Sequence, residues 1–190
     1  CAGIANVSNA FAGVGTFAIQ LAKHLGATVA TTASSANFEL VKALGADVMI
    51  DYKKQDFETM LHGYDVVLHS QDSKTLEKSL RVLKPGGTLV SISGPPDPAF
   101  AEEIGVPWYV KPIMHVLSFG ARRKAKRLNV TFSFLFMRAN GEQLSEITAL
   151  IDQGMIRPVV ERVFPFESTQ EALDFVEKGR TKGKAVVNVR

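Results

Sequence analysis

From Val14 to Ser93 the chain alternates helix-period segments with short β-branched, apolar segments. This alternation limits the fold more than any single motif. Apolar spacing predicts a helix over Val14 to Leu25, with Phe17, Ala18, Leu21, Ala22 and Leu25 on one face. ATVATT (Ala27 to Thr32) reads as a strand, and Asn37 to Leu44 as a short helix closed by Gly45. DVMI (Asp47 to Ile50) and YDVVLHS (Tyr64 to Ser70) are further strands, the second apolar enough to be buried on both faces. A helix over Ser73 to Leu83 is stopped by KPGG, and TLVSIS (Thr88 to Ser93) is the next strand before the rigid loop GPPDP. Such alternation predicts a parallel sheet with helices on both faces. Right-handed crossovers then give the doubly wound order 3-2-1-4-5-6. Ligands of such sheets bind where the strands end, so the loops opening near Ala10, Thr32, Ser70, Ser93 and Met137 share one crevice.

The second half is less regular. Ala99 to Gly120 reads as helix interrupted at Pro107 and Pro112, followed by the basic run ARRKAKR (Ala121 to Arg127). VTFSFLFM (Val130 to Met137) alternates and is aromatic, a sixth strand; Glu142 to Gln153 is helical. RPVVERVFPF is extended. In STQEALDFVEKG, Ser168 and Glu171 have the spacing of a capping box. KAVVNV (Lys184 to Val189) is a last strand.

The chain has 190 residues, is 46% hydrophobic and 22% charged, and so has material for a real core. No apolar run reaches the roughly 18 residues of a membrane span. The first residues lack the basic-then-apolar pattern of a secretory signal. One cysteine, Cys1, rules out a disulfide framework in these residues and favours a cytoplasmic setting. His24, His62, His69 and His115 show no metal-ligand spacing, and no G-x-S-x-G elbow is present. A net charge of +3 selects no partner class. Arg122, Arg123, Lys124, Lys126 and Arg127 are not interleaved with aromatics, which favours a solvated helix end over a nucleic-acid surface.

AGVGTFAIQLAKHLGA (Ala12 to Ala27) has the form of a glycine loop entering a helix. In the dinucleotide fingerprint G-x-G-x-x-G, Gly15 takes the third position only if Ala10 and Ala12 take the first two. A methyl at the second position crowds a pyrophosphate. These residues alone are compatible with an altered phosphate-binding turn and with an ordinary helix start.

The order of segments carries more. GVGTFAIQLAKHLGATVATTASSANFELVKALGADVMIDYKKQDF, then YDVVLHS, LKPGGTLVSISGPP, FLFMRANGEQLSEITALIDQGMIRPVVERVFPF and EALDFVEKGRTKGKAVVNVR, resemble the carboxyl-terminal part of medium-chain dehydrogenases/reductases, most nearly the zinc-free quinone-oxidoreductase-like branch. The resemblance runs from about Gly13 to the last residue. It implies an α/β fold with a Rossmann-type doubly wound sheet over residues 1–157 and a tail, 158–190, that returns in the family to a GroES-like catalytic domain. That β-rich domain is missing from these residues. The strands in the tail therefore pair with each other or with another chain.

The resemblance also implies NADP(H), no zinc, and a small carbonyl or quinone substrate. Where NAD-specific turns carry an acid after the second strand, this chain reads TTASSAN, Thr31 to Asn37. Ser34, Asn37 and Tyr52 match positions that hold the adenosine 2′-phosphate in NADP-using relatives, although Asn37 stands where some carry lysine. Gly13, Val14, Gly15 and Thr16 would face the pyrophosphate. Ser70 and Gln71 follow the fourth strand, and Ser93 and Gly94 the fifth. Phe136 and Met137 fall near the nicotinamide, and Lys184 matches the lysine of a closing G-K motif. Each has a structural alternative: a polar surface loop for Ser34 to Asn37, core packing for Phe136 and Met137. No catalytic residue is named, because the cofactor carries hydride chemistry and the protein positions it. Relatives join two sheets edge to edge, so a homodimer through Val130 to Met137 is expected, without nucleic acid or membrane. The alternatives are a non-catalytic nucleotide-binding fragment and an S-adenosylmethionine-dependent methyltransferase, whose fourth and fifth strands YDVVLHS and LRVLKPGGTLVSIS also resemble.

Overall fold

The structure is a computed structural model and describes residues 4–7, 13–94, 96, 98–105, 107–178 and 183–189. Ala10 and Ala12 lie outside the described residues. The strands of the main sheet are β1 (Ile4–Val7), β2 (Thr28–Ala33), β3 (Val48–Asp51), β4 (Tyr64–His69), β5 (Leu83–Ser91) and β6 (Thr131–Phe134). All are parallel, in the order β3-β2-β1-β4-β5-β6, the doubly wound order that alternation predicts. The helices are α1 (Val14–His24), α2 (Phe38–Ala43), α3 (Phe57–Met60), α4 (Ser73–Arg81), α5 (Pro98–Glu103), α6 (Lys111–Arg127), α7 (Gly141–Asp152) and α8 (Thr169–Glu177). Strands β7 (Val160–Pro165) and β8 (Lys184–Asn188) form a separate parallel pair.

Two apolar layers sandwich the sheet. On one face Ile50, Val67 and Leu89 pack with Phe57, Leu76, Leu80 and Ala125 from α3, α4 and α6. On the other, Val29 and Ala33 pack with Ile19, Val41 and Leu44 from α1 and α2. Ala30 belongs to the first layer while its neighbour Val29 belongs to the second, as period-2 side-chain alternation requires. Covering both faces lowers the need for polar alternation, although β4 is not buried throughout as expected: Val66 is exposed.

Several local expectations are corrected. Leu21 and Leu25 are exposed, while α1 buries Gly15, Thr16, Ile19 and Gln20. Ala18 and Ala22 of the predicted face do pack on the core, while Gln20 turns inward to bond the Arg157 backbone. KPGG does not end α4, which stops at Arg81 with Val82 as its C-cap; β5 begins at Leu83 and contains KPGG. The pairing shifts between Tyr64 and Val66, so residues 84–87 form an irregular step within the ladder. Gly87 fits there because a Cβ would stand 2.9–3.0 Å from the carbonyls of Lys84, Asp65 and Tyr64. Ser168 makes no side-chain cap: it ends a 3₁₀ turn, Phe166–Ser168, and Glu171 instead pairs with Arg162 at 2.8 Å.

Pro112 opens α6 rather than interrupting it, since a first-turn residue has no helical N–H bond to lose. The basic run lies in the later turns of α6, where cations complement the helix dipole. Lys124 pairs there with Glu77, and Arg122 contacts His115. The sixth strand is shorter than Val130 to Met137: it covers Thr131–Phe134, at the sheet edge.

The tail pairs with itself. Chain from β7 through α8 to β8 forms one parallel βαβ unit around Phe164, which is 1% exposed and packs on Phe175 at 5.7 Å between ring centroids. The buried amide of Gln20 ties this unit to α1. Gln20 Nε2 donates to the Arg157 carbonyl at 3.0 Å, and the Arg157 N–H donates to Gln20 Oε1 at 2.9 Å.

Candidate functional site

Parallel strands bring all their carboxyl ends to one edge of the sheet. Ala33 pairs with Asp51, His69 with Ser91, and Ser91 with Phe134. Ser34, Tyr52, Ser70, Gln71, Ser93, Gly94, Phe136 and Met137 follow these residues and so share that edge, each within three residues of a strand end.

The glycine turn lies at the amino end of α1. Gly13 has φ +80°, a left-handed backbone that glycine adopts without steric cost. No acid lies in the first turn of α1 and no side chain caps it. Its backbone N–H groups are thus available to an anion, and the helix dipole favours one. Gly15 is buried and Val14 exposed. Thr16 is buried, and its hydroxyl donates to the Gly13 carbonyl at 3.1 Å, so its side chain braces the turn. Lys184, the first residue of β8, reaches this turn from the tail. A Cβ on Gly13 would collide with the Lys184 ammonium. A glycine 171 positions away in sequence thus leaves the space that the Lys184 ammonium occupies beside an open helix terminus.

After β2, Asn37 Nδ2 donates to Ser34 Oγ at 2.7 Å. Asn37 is 9% exposed, and its Oδ1 has no hydrogen-bond partner among the described residues. An acid does stand beside this loop, on the neighbouring strand. Asp51 is buried, and its carboxylate accepts from the Lys53 N–H at 3.0 Å and from Ser35, with the Lys54 ammonium at 3.9 Å. The Lys53 N–H is the main cause holding the Asp51 carboxyl below the usual range, against burial; Ser35 and Lys54 add to it. Asp51 is thus committed to shaping the turn that presents the exposed Tyr52.

After β4 and β5 the loops are latched together. Ser93 Oγ donates to the Gln71 carbonyl at 2.8 Å, and Ser91 Oγ donates to the Ser93 carbonyl. Because the Ser91 hydrogen is used there, the contact of 3.2 Å between His69 Nδ1 and Ser91 Oγ has the imidazole donating. Burial pushes the His69 pKa down, opposed by Asp72, so a neutral ring tautomer protonated at Nδ1 bridges the two strand ends. Ser70 is half-buried, and Gly94 is exposed with φ +100°. After β6, Phe100 packs on Phe134 at 5.3 Å and on Phe136 at 5.4 Å, while Met137 is 85% exposed.

The structure thus gathers Gly13 to Thr16 with Lys184, Ser34 with Asn37 and Tyr52, and Gln71 with Ser93. Sequence reasoning missed Asp51, Lys53 and His69. Asp51 and Lys53 flank Tyr52, but only strand pairing shows that they adjoin Ser34. Among the described residues no group of three or more His, Cys, Asp or Glu is placed to hold a metal, and no helix is long and apolar enough to cross a membrane. An uncapped helix start with a cation beside it suits the pyrophosphate of a dinucleotide.

A family model described as zinc-binding dehydrogenase matches residues 44–187. The chain is 37% identical over 196 aligned positions to the mitochondrial NAD(P)H oxidoreductase RTN4IP1 of Mus musculus, covering 96% of this chain and 47% of that protein. It is 33% identical over 180 positions to 2-methylene-furan-3-one reductase of Solanum lycopersicum, covering 93% and 38%. The quinone oxidoreductase structure from Coxiella burnetii superposes with a TM-score of 0.77 at 28% identity, over 99% of this chain and 53% of the other. The chain spans about half the length, or less, of these relatives. It belongs to the zinc-binding dehydrogenase family, within the medium-chain dehydrogenases/reductases, and carries their carboxyl-terminal, Rossmann-type cofactor portion.

Proposed function

We propose that this chain is the NADP(H)-binding part of a zinc-independent medium-chain oxidoreductase, a quinone or enone reductase or an alcohol-dehydrogenase-like enzyme. Residues 1–157 are its cofactor domain and 158–190 its tail. The single observation that carries this reading is the Lys184 ammonium lying against Gly13 at the uncapped start of α1. Names of relatives support it: one is an NAD(P)H oxidoreductase, another reduces a methylene-furanone.

Bound NADPH supplies the hydride; the protein binds and orients it. In this assignment Lys184 and the amino end of α1, at Gly13, Val14, Gly15 and Thr16, hold the pyrophosphate. Ser34, Asn37 and Tyr52 receive the 2′-phosphate. Ser70, Gln71, Ser93 and Gly94 line the crevice between β4 and β5, and Phe136 and Met137 form an apolar wall toward the nicotinamide. The substrate is a small carbonyl or quinone compound, and no catalytic residue is assigned.

Calorimetric titration of the chain with NADPH, NADH and S-adenosylmethionine tests this. Tighter binding of NADPH than of NADH supports it. Binding of S-adenosylmethionine alone turns the assignment to a methyltransferase, and binding of none overturns it. NADPH binding without turnover of any quinone or enone by the full-length protein favours the non-catalytic alternative.

We also propose a homodimer through the β6 edge, supported by the edge position of Thr131–Phe134 and the exposed Leu135 and Phe136 beside it. A monomer mass in light scattering at high concentration overturns it. A cytoplasmic setting, with neither membrane nor nucleic acid as partner, accords with one cysteine and with basic residues spent on Glu77 and a helix terminus. Co-fractionation with mitochondria, the location in the mouse relative's name, would overturn the location.

A further inference from the structure

A 2′-phosphate needs a cation as well as hydroxyls, and NADP-binding folds usually place a basic side chain beside it. The loop after β2 has none: Ser34 to Val41 contains neither lysine nor arginine. The pairing of Ala33 with Asp51 sets a second loop, Tyr52 to Lys54, directly alongside. That loop is rigidly held. Besides the side-chain bonds to Asp51, the Lys54 and Gln55 N–H groups donate to the Asp51 carbonyl at 2.9 and 2.8 Å.

The two lysines it presents differ. The Lys54 ammonium lies 3.9 Å from the Asp51 carboxylate and so shares its charge with that group, though its side chain is 72% exposed. The Lys53 ammonium lies 6.0 Å from the centre of the Tyr52 ring and has no ion-pair partner among the described residues. Ser34 adds a donor. Its Oγ accepts from Asn37, so its own hydroxyl hydrogen is left for an outside acceptor.

We propose that Lys53, seated over Tyr52 on the turn braced by Asp51, supplies the cation for the 2′-phosphate and so sets the preference for NADPH over NADH. This deepens, and rests on, the NADP(H) assignment above. Lys53 is a cofactor-specificity residue, with Ser34 as its neutral hydrogen-bonding companion.

The test is calorimetric titration of the chain with NADPH, NADH, adenosine 2′,5′-bisphosphate and 5′-AMP. Wild type is compared with Lys53→Gln, Lys53→Arg and Lys54→Gln. Loss of one charge-assisted contact weakens NADPH and the bisphosphate about tenfold in Lys53→Gln. NADH and 5′-AMP change less than about twofold, Lys53→Arg retains most of the preference, and Lys54→Gln has the smaller effect. Equal losses for NADPH and NADH, or no loss for either, overturn the role of Lys53 while leaving wild-type NADPH binding intact. Failure of wild type to bind any of the four overturns the underlying cofactor assignment as well. Circular dichroism melting separates a folding defect from a lost contact.

Discussion

Gly13 and Lys184 offer a coupled test of the phosphate site. Alanine at Gly13 has two consequences, each read from the geometry. At φ +80° a Cβ costs about 1–2 kcal/mol. In a domain of this size, that lowers the melting temperature by roughly 2–8 °C. The new methyl also takes the space of the Lys184 ammonium and pushes it away from the turn. Lys184→Met alone removes the charge without backbone strain. One charge-assisted bond at an exposed position makes that worth about tenfold in NADPH affinity. Because Gly13→Ala already displaces the ammonium, Lys184→Met should cost less than about twofold more in its presence. Two residues acting through one contact are not additive. Calorimetric titration of the four proteins reads the cycle, and thermal melts verify that each is folded. Independent losses that multiply in the double variant would refute the shared contact. Unchanged affinity in Lys184→Met would refute a role for the ammonium altogether.

Other outcomes follow from local structure. Gln20→Ala orphans both the Arg157 N–H and its carbonyl, so it should cost about 2 kcal/mol in urea denaturation. It should also speed amide exchange across Val160–Pro165; exchange as slow as wild type would show that the tail does not hang on this amide. Two positions that look alike in sequence should differ: Asn140→Ala removes a cap that accepts from the Gln143 N–H and costs about 1 kcal/mol, whereas Ser168→Ala caps nothing and costs less than about 0.3 kcal/mol. Equal urea midpoints for the pair would contradict the assignment. Asp72 is held below its ordinary pKa chiefly by the Thr75 N–H, so its contribution is present above its unfolded pKa, about 3.9, and is lost as pH falls through the lower folded value. The gap in urea midpoint between wild type and Asp72→Asn should therefore shrink as pH falls below about 4; a gap that widens on acidification would contradict this.

Most of the fold was legible because its signals are local. β-branched runs such as TVATTA and the helix-period runs between them fix element type within a few residues, and alternation fixes the parallel order. The errors share a cause. Ser168 and Glu171 have the spacing of a capping box, yet the chain enters α8 through a 3₁₀ turn and Arg162 takes the carboxylate. Leu21 and Leu25 suggest an inward face, yet both are exposed and α1 turns Gln20 inward to bond the backbone of Arg157. In each case a contact distant in sequence outweighed a local preference.

The candidate site divides along the same line. The residues following each strand could be named from sequence, because parallel strands must all end at one edge. Which of them share a subsite could not. The approach of Lys184 to Gly13 depends on a tail folded into its own βαβ unit and tied to α1 by Gln20. The place of Tyr52 and Lys53 beside Ser34 depends on the register that sets Ala33 against Asp51. Local sequence thus determined the elements, their order and the edge where the parallel strands end, since backbone propensity and hydrophobic period act over a few residues. Tertiary structure alone decided which charges meet at that edge, since those meetings are set by packing and strand register between segments far apart in the chain.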